Sequence, residues 1–257
     1  MSSKRSTFPW KEFLRSVAVI AIPIALQNLL TTTGSMVDTM MIAPLGELSV
    51  GAVGLCAQFS SLMFSGYWGF MGGGMLFFAQ YYGAKDDGGV NRAYGMTLLC
   101  MMADAVVFSA LALFFPEFVM RVYTDKPAIQ EIGVQYLRVV GFAYPLQVYA
   151  MAMSALLRTT DRVRIPLYGA IASVATNVFL NWVLIYGRFG LPAMGIQGAA
   201  LATVCAAGVN ALVILLMGKV QKHPYLFRVS RHFVWSKAFV SEYFHKCFPI
   251  LMNQILI

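Results

Sequence analysis

Long runs of apolar residues alternate with short polar breaks along most of the chain. A helix needs about 20 apolar residues to cross the hydrocarbon core of a bilayer, and it satisfies its own backbone groups there. The pattern therefore predicts an all-α, polytopic membrane protein whose residues 1–218 form an N-terminal lobe of six transmembrane helices. The six predicted spans are residues 14–42, 50–82, 94–115, 129–157, 165–186 and 195–217.

A basic and aromatic segment, residues 219–243, follows the sixth span. This mixture is typical of a linker that lies on the cytoplasmic membrane surface, although a plain solvated linker has the same composition. Residues 244–257 then echo the first span, with Pro249 in the place of Pro23. Repeated halves are typical of secondary transporters. We therefore expect residues 244–257 to start a seventh span, in a second lobe of the same chain that is otherwise missing from this sequence.

Composition also favours a membrane protein. Hydrophobic residues make up 59% of the chain and charged residues 12%, whereas a soluble domain carries about a quarter charged residues. The net charge of +8 does not indicate nucleic-acid binding, because the basic residues lie in short breaks between apolar runs. The sequence shows no nucleophile–base or metal-ligand motif and no phosphate-binding glycine loop, so neither an enzyme nor an ATP-driven pump is expected.

The basic residues predict how the chain crosses the membrane. With the N-terminus in the cytoplasm, fifteen of the nineteen lysines and arginines fall on the cytoplasmic side. The positive-inside rule favours that orientation. We therefore expect a multi-pass protein of the plasma (inner) membrane, surrounded by lipid, with a cytoplasmic N-terminus.

Asp38 is a carboxylate near the outer end of the first predicted span. Charges in membrane spans are costly and usually face an ion or substrate path. Asn177, Asn181 and Thr203 lie at a similar depth, roughly 9–15 Å below the outer boundary. Together the four form a candidate coupling site, either oxygen ligands for Na⁺ or a carboxylate that carries a proton. The alternatives are a structural Asp38, and interhelical hydrogen bonding as the only role of Asn181 and Thr203.

Two further polar side chains are candidates for a substrate cavity. Gln27 lies in the first span, one turn after Pro23, and Asp104 lies near the middle of the third span. An acidic side chain in a cavity would attract cationic substrates, while an ion pair with Arg138 of the fourth span is the alternative for Asp104. No cofactor is expected beyond H⁺ or Na⁺ as the coupling ion.

Several short motifs together resemble the N-terminal lobe of the multidrug and toxic compound extrusion (MATE) transporters. The resemblance covers essentially the whole chain, and it depends on the order and spacing of the motifs. The matching positions are Ile22-Pro23 with Gln27, Val37-Asp38-Thr39, Leu45-Gly46, Ala79-Gln80, Gly83-Ala84, Leu156-Leu157-Arg158, Asn177 with Asn181, and the stretch from Met194 to Thr203.

The resemblance implies one half of a twelve-helix antiporter that exports organic cations and amphipathic drugs in exchange for H⁺ or Na⁺. In the family, the position of Asn181 is often an aspartate. The site here has one formal negative charge in place of two, which favours a proton. Two other interpretations stay open: a lipid-linked oligosaccharide flippase of the same superfamily, and a non-transporting fragment.

Overall fold

The computed structural model describes residues 10–227, 233 and 235–256, and these residues form helices and short connections without any strand. This confirms the predicted all-α fold. The helices are α1 (Trp10–Ile42), α2 (Glu47–Gly83), α3 (Asp87–Phe114), α4 (Pro116–Tyr123), α5 (Pro127–Val140), α6 (Ala143–Thr159), α7 (Arg164–Tyr186), α8 (Gly195–Val220) and α9 (Lys237–Leu256), with a short 3-10 turn at Ala43–Leu45.

The fourth predicted span is divided into two helices. Five stretches are long and apolar enough to cross a membrane alone, and a sixth crossing results if α5 and α6 are counted together. Those two helices meet at an angle of 50°. The prediction of six spans is therefore confirmed, whereas the prediction of one continuous stretch over residues 129–157 is wrong.

Pro145 explains the bend between α5 and α6. Because proline has no backbone N–H, Pro145 cannot donate a hydrogen bond to the carbonyl of Gly141, one turn earlier. The hydroxyl of Ser109 on α3 donates to that carbonyl instead, at 2.9 Å. Gly141 also allows α3 to come close, since a Cβ there would lie 3.0 Å from the side chain of Leu113. The bend is thus held by a hydrogen bond from the neighbouring helix.

The edge of the lobe is built from α1, α7 and α8. α7 packs along α8, and α1 packs mainly against α7. The start of α8 can approach α7 closely because a Cβ at Gly198 would lie only 2.8 Å from the backbone of Leu184. The outward side of α1 stays open, with Leu29 and Met40 more than 60% exposed. This packing brings the predicted site residues of three helices to one place.

Helix α9 begins at Lys237, seven residues before the predicted start of the seventh span. It packs against α2, where a Cβ at Gly73 would overlap the sulfur of Cys247. The hydroxyl of Tyr243 donates to Thr97 Oγ1 on α3 at 2.9 Å. Residues 228–232 and 234 of the linker lie outside the described residues, so the position of the linker on the membrane surface stays a prediction.

Candidate functional site

An amide of α7 joins two of the predicted site residues. Asn181, which is fully buried, donates from Nδ2 to Asp38 Oδ1 of α1 at 2.5 Å and to Asn177 Oδ1 at 3.2 Å. Asn177 and Asn181 are one turn apart and share a helix face, as the sequence predicts. The hydrogen bond to Asp38 is charge-assisted when the carboxyl group is ionised, which makes it stronger than a neutral one.

A cavity of about 290 Å³ lies next to this group. Asp38, Asn177 and Thr203 line it. Asn181 does not line the cavity and instead donates a hydrogen bond to Asp38. The structure thus brings the four predicted coupling residues together. The cavity is also lined by Thr31, Gly34, Ser35, Gln147, Ser173, Val174, Ala206, Ala207 and Asn210.

The polar atoms of the site are mostly hydrogen-bond acceptors. The Asn181 Oδ1 atom is buried without a hydrogen-bond partner among the described residues. The Thr203 hydroxyl donates to the carbonyl of Ala199 at 3.1 Å and is also a hydrogen-bonding neighbour of Tyr136. Two other oxygens, Asp38 Oδ1 and Asn177 Oδ1, already accept N–H groups. A Na⁺ ion would have to share those two oxygens with the N–H donor, while a proton needs only the second oxygen of Asp38.

Sequence reasoning missed residues that connect this cavity to a second one. Gln147 and Thr203 line both the Asp38 cavity and a neighbouring cavity of about 230 Å³. In the second cavity the hydroxyls of Ser60 and Tyr144 lie 3.0 Å apart, and Tyr136 forms another part of the wall. Gln147 could have been found as an amide inside a predicted span. The tyrosines could not, because aromatic residues occur throughout the spans.

Gln27 lies away from the Asp38 cavity. Its side chain is buried and accepts a hydrogen bond from Arg158 Nη2 at 2.8 Å, near the end of α6. Gln27 precedes Asp38 by eleven positions on α1, which corresponds to about 16 Å along a helix. The predicted role of Gln27 in a substrate cavity is therefore not supported by its contacts, which join α1 to α6.

The predicted alternative of an Asp104–Arg138 ion pair is wrong. Arg138 Nη2 lies 2.5 Å from Glu117 Oε1, and Glu117 belongs to α4, a helix that the sequence pattern does not reveal. Asp104 lies instead against α2, where a Cβ at Gly66 would be 2.9 Å from its Oδ1 atom. Its Oδ2 atom has no hydrogen-bond partner in the part of the chain that the structure describes. Asp104 does not line the Asp38 cavity.

Comparisons with known proteins agree with this architecture. The chain is 29% identical over 246 residues to the "Probable multidrug resistance protein YoeA" of Bacillus subtilis (strain 168), covering 95% of this chain and 53% of that protein. It is 26% identical over 219 residues to the "Probable multidrug resistance protein NorM" of Rhizobium meliloti (strain 1021), covering 85% of this chain and 46% of that protein. The chain therefore spans about half the length of these relatives.

Solved structures share the fold. A protein described as a "MOP superfamily transporter from Pyrococcus furiosus Vc1 (DSM3638)" superposes with a TM-score of 0.80 at 21% identity, over 93% of this chain and 52% of that one. A structure described as "MATE in the bent conformation" gives the same values. The family model described as MatE matches residues 23–183, which is more than half of the sequence. The chain is therefore a multi-pass membrane protein that belongs to the MatE family, the family its motifs resemble.

Proposed function

We propose that this chain is the coupling lobe of an antiporter that exports amphipathic organic cations in exchange for protons. The observation that carries the proposal is the Asp38 carboxyl group, which Asn181 holds at the wall of a cavity inside a membrane-spanning lobe. Charged side chains at such positions usually mark ion or substrate paths. The relatives described as multidrug resistance proteins support export of drugs.

The hydrogen-bond pattern favours a proton over Na⁺ as the coupling ion. The Asn181 amide donates to two of the oxygens that a Na⁺ ion would use. A neutral amide at position 181 also leaves Asp38 as the one acidic residue among the described residues that line the cavity. A hard cation prefers several anionic or carbonyl oxygens that are free to bind it. Protonation of Asp38 needs one oxygen of its carboxyl group and no further ligand.

The lining of the cavity supports a cationic substrate. In the part of the chain that the structure describes, this lining includes one acidic residue and neither lysine nor arginine. A flippase for lipid-linked oligosaccharides would need basic groups to bind a pyrophosphate, because phosphate oxygens pair with guanidinium and ammonium groups. An amphipathic cation instead gains from Asp38 and from the apolar side chains of Val174, Ala206 and Ala207. These features make export of cations the better account of the site.

Exchange requires that proton and substrate compete for Asp38. Uptake of a proton from outside neutralises the carboxyl group, so its attraction for a bound cation is lost and the cation leaves. The change also weakens the charge-assisted bond from Asn181 and frees α1 to move, with Pro23 inside α1 as the point of bending. We propose that this lobe acts with a second lobe, as alternating access requires.

The test is efflux of a fluorescent organic cation from membrane vesicles of cells that express the natural gene, under an imposed pH gradient. Asp38→Asn keeps the shape of the side chain and removes its exchangeable proton, so we expect efflux to fall at least tenfold with normal membrane insertion. Asp104→Asn is the matched control, because Asp104 is a second aspartate inside a predicted span and lies away from the cavity. It should retain more than half of the activity.

Two results would contradict the proposal. Near-normal gradient-driven efflux by Asp38→Asn would remove Asp38 as the coupling group. Efflux by the wild type that responds to a Na⁺ gradient, and not to a pH gradient, would leave the site assignment in place and replace the proton by Na⁺.

A further inference from the structure

A third cavity, of about 420 Å³, lies at the opposite end of the lobe from Asp38. It occurs where α7 begins and α8 ends, beside the first turns of α1. Its volume falls in the range of about 300–1,000 Å³ that ligand cavities occupy. The lining residues are Val19, Asp161, Arg162, Val163, Arg164, Ile165 and Gln221.

Charged groups of both signs line this cavity. Arg162 donates from Nη1 to Gln221 Oε1 at 3.2 Å, and neither Arg162 nor Arg164 forms an ion pair with a described residue. Asp161 has a left-handed backbone, with φ of 61°, and accepts a hydrogen bond from the Tyr82 hydroxyl at 3.4 Å. The cavity therefore offers two guanidinium groups for an anion and one carboxylate for a cation.

Exposed apolar side chains continue from the cavity along α1 and α7. Val19, in its wall, is 50% exposed, and Ile22 follows on the same face of α1. On α7, Tyr168 and Ile171 follow Arg164 on one face, and both are more than 40% exposed. A ligand that fills the cavity can thus place hydrocarbon chains against α1 and α7 while its polar part contacts Asp161, Arg162 and Arg164.

We propose that this cavity binds the headgroup of a membrane phospholipid that carries a primary ammonium next to its phosphate diester. Arg162 and Arg164 bind the phosphate oxygens, for which guanidinium groups have matching geometry. Asp161 accepts hydrogen bonds from the ammonium group. A free inorganic phosphate fits less well, because Asp161 repels it and it leaves the apolar surface unused. The inference does not depend on whether Asp38 couples transport to protons.

The experiment measures which phospholipids stay bound to the purified full chain. The protein is equilibrated with equal amounts of phosphatidylethanolamine and phosphatidylcholine, and the retained lipid is counted by native mass spectrometry. The wild type should retain phosphatidylethanolamine in preference, since the trimethylated headgroup cannot donate hydrogen bonds to Asp161. Arg162→Gln with Arg164→Gln should reduce retention of both lipids by about tenfold or more, because charge-assisted hydrogen bonds to phosphate are lost.

Asp161→Asn separates the two halves of the proposed site. Asparagine also adopts the left-handed backbone found at this position, so the variant should fold. It should keep the phospholipid and lose the preference for the primary ammonium. Lys85→Gln is the matched control, since Lys85 is a basic residue with positive φ that does not line the cavity. Its lipid retention should equal that of the wild type.

Several outcomes would overturn the inference. Equal retention of the two lipids by the wild type is one, and this comparison remains available if the double arginine variant does not fold. Unchanged phospholipid retention in that double variant is another. An equal loss of retention in Lys85→Gln is a third, because it would indicate that the general positive charge of the surface holds the lipid. Displacement of the lipid by inorganic phosphate would assign the cavity to the free anion instead.

Discussion

Ser109→Ala tests the account of the bend between α5 and α6. The Ser109 hydroxyl is buried and donates to the Gly141 carbonyl, whose usual partner one turn later is Pro145 and has no N–H. Interhelical hydrogen bonds in membranes contribute about 0.6 kcal/mol on average, because the unfolded chain also finds partners. In Ser109→Ala the Gly141 carbonyl is left without a donor. We therefore expect the free energy of unfolding to fall by about 1–2 kcal/mol, which is the upper end of the range for such hydrogen bonds.

The assay is equilibrium unfolding in mixed micelles with increasing SDS, followed by circular dichroism. Ser65→Ala is the matched control, because the Ser65 hydroxyl donates at 3.0 Å to a carbonyl of its own helix that the helix already satisfies. A double-mutant cycle sharpens the test. Pro145→Ala restores a backbone N–H that can donate to the Gly141 carbonyl. Ser109→Ala should therefore lower the free energy of unfolding by less in the Pro145→Ala protein than in the wild type. The explanation of the bend would be refuted if the effects of Ser109→Ala and Pro145→Ala on the free energy of unfolding were strictly additive. It would also be refuted if Ser109→Ala destabilised the protein no more than Ser65→Ala does.

Two other predictions concern the cytoplasmic end and the topology. Burial and the nearby Arg162 lower the pKa of His223 to about 4, and its ring hydrogen-bonds to Thr160 at 3.0 Å. The unfolded chain takes up this proton near pH 6.5, so stability should fall by up to about 3 kcal/mol as the pH drops from 6.5 to 4. His223→Gln should remove most of that loss in unfolding measurements, and an identical loss in the variant would contradict the assignment. Separately, single cysteines at positions 47 and 188 should react with an impermeant reagent added outside intact cells, and one at position 162 should not. External labelling at position 162 would show that the chain has the orientation opposite to the predicted one.

The sequence predicts the number of spans because the cost of burying backbone and charge in lipid leaves one solution. It does not reveal that the fourth span is broken. A proline in a membrane helix is tolerated when a neighbour supplies the missing hydrogen bond, and the neighbour here is Ser109, 36 positions earlier in the chain. The short helix α4 escapes detection for a related reason. Its eight residues are far fewer than the roughly 20 apolar residues of a membrane span, so a search for spans passes over it, yet it carries the Glu117 that pairs with Arg138.

The contents of the Asp38 site could be predicted in part. Depth in the membrane is readable from the sequence, so Asn177, Asn181 and Thr203 could be grouped with Asp38 before their contacts were known. Depth does not say which side of a helix a residue faces. Gln27 shares α1 with Asp38 but contacts Arg158, and that distinction depends on how α1 rotates against α6 and α7.

The central claim is that a proton and a cationic substrate compete for Asp38. The most direct test is to measure proton release when an organic cation binds to the purified protein, by calorimetry in buffers of different ionisation enthalpy. The account predicts that substrate binding releases close to one proton from the wild type and none from Asp38→Asn, which should bind the cation more weakly. Binding to the wild type without proton release, or equal release by the Asp38→Asn variant, would contradict it.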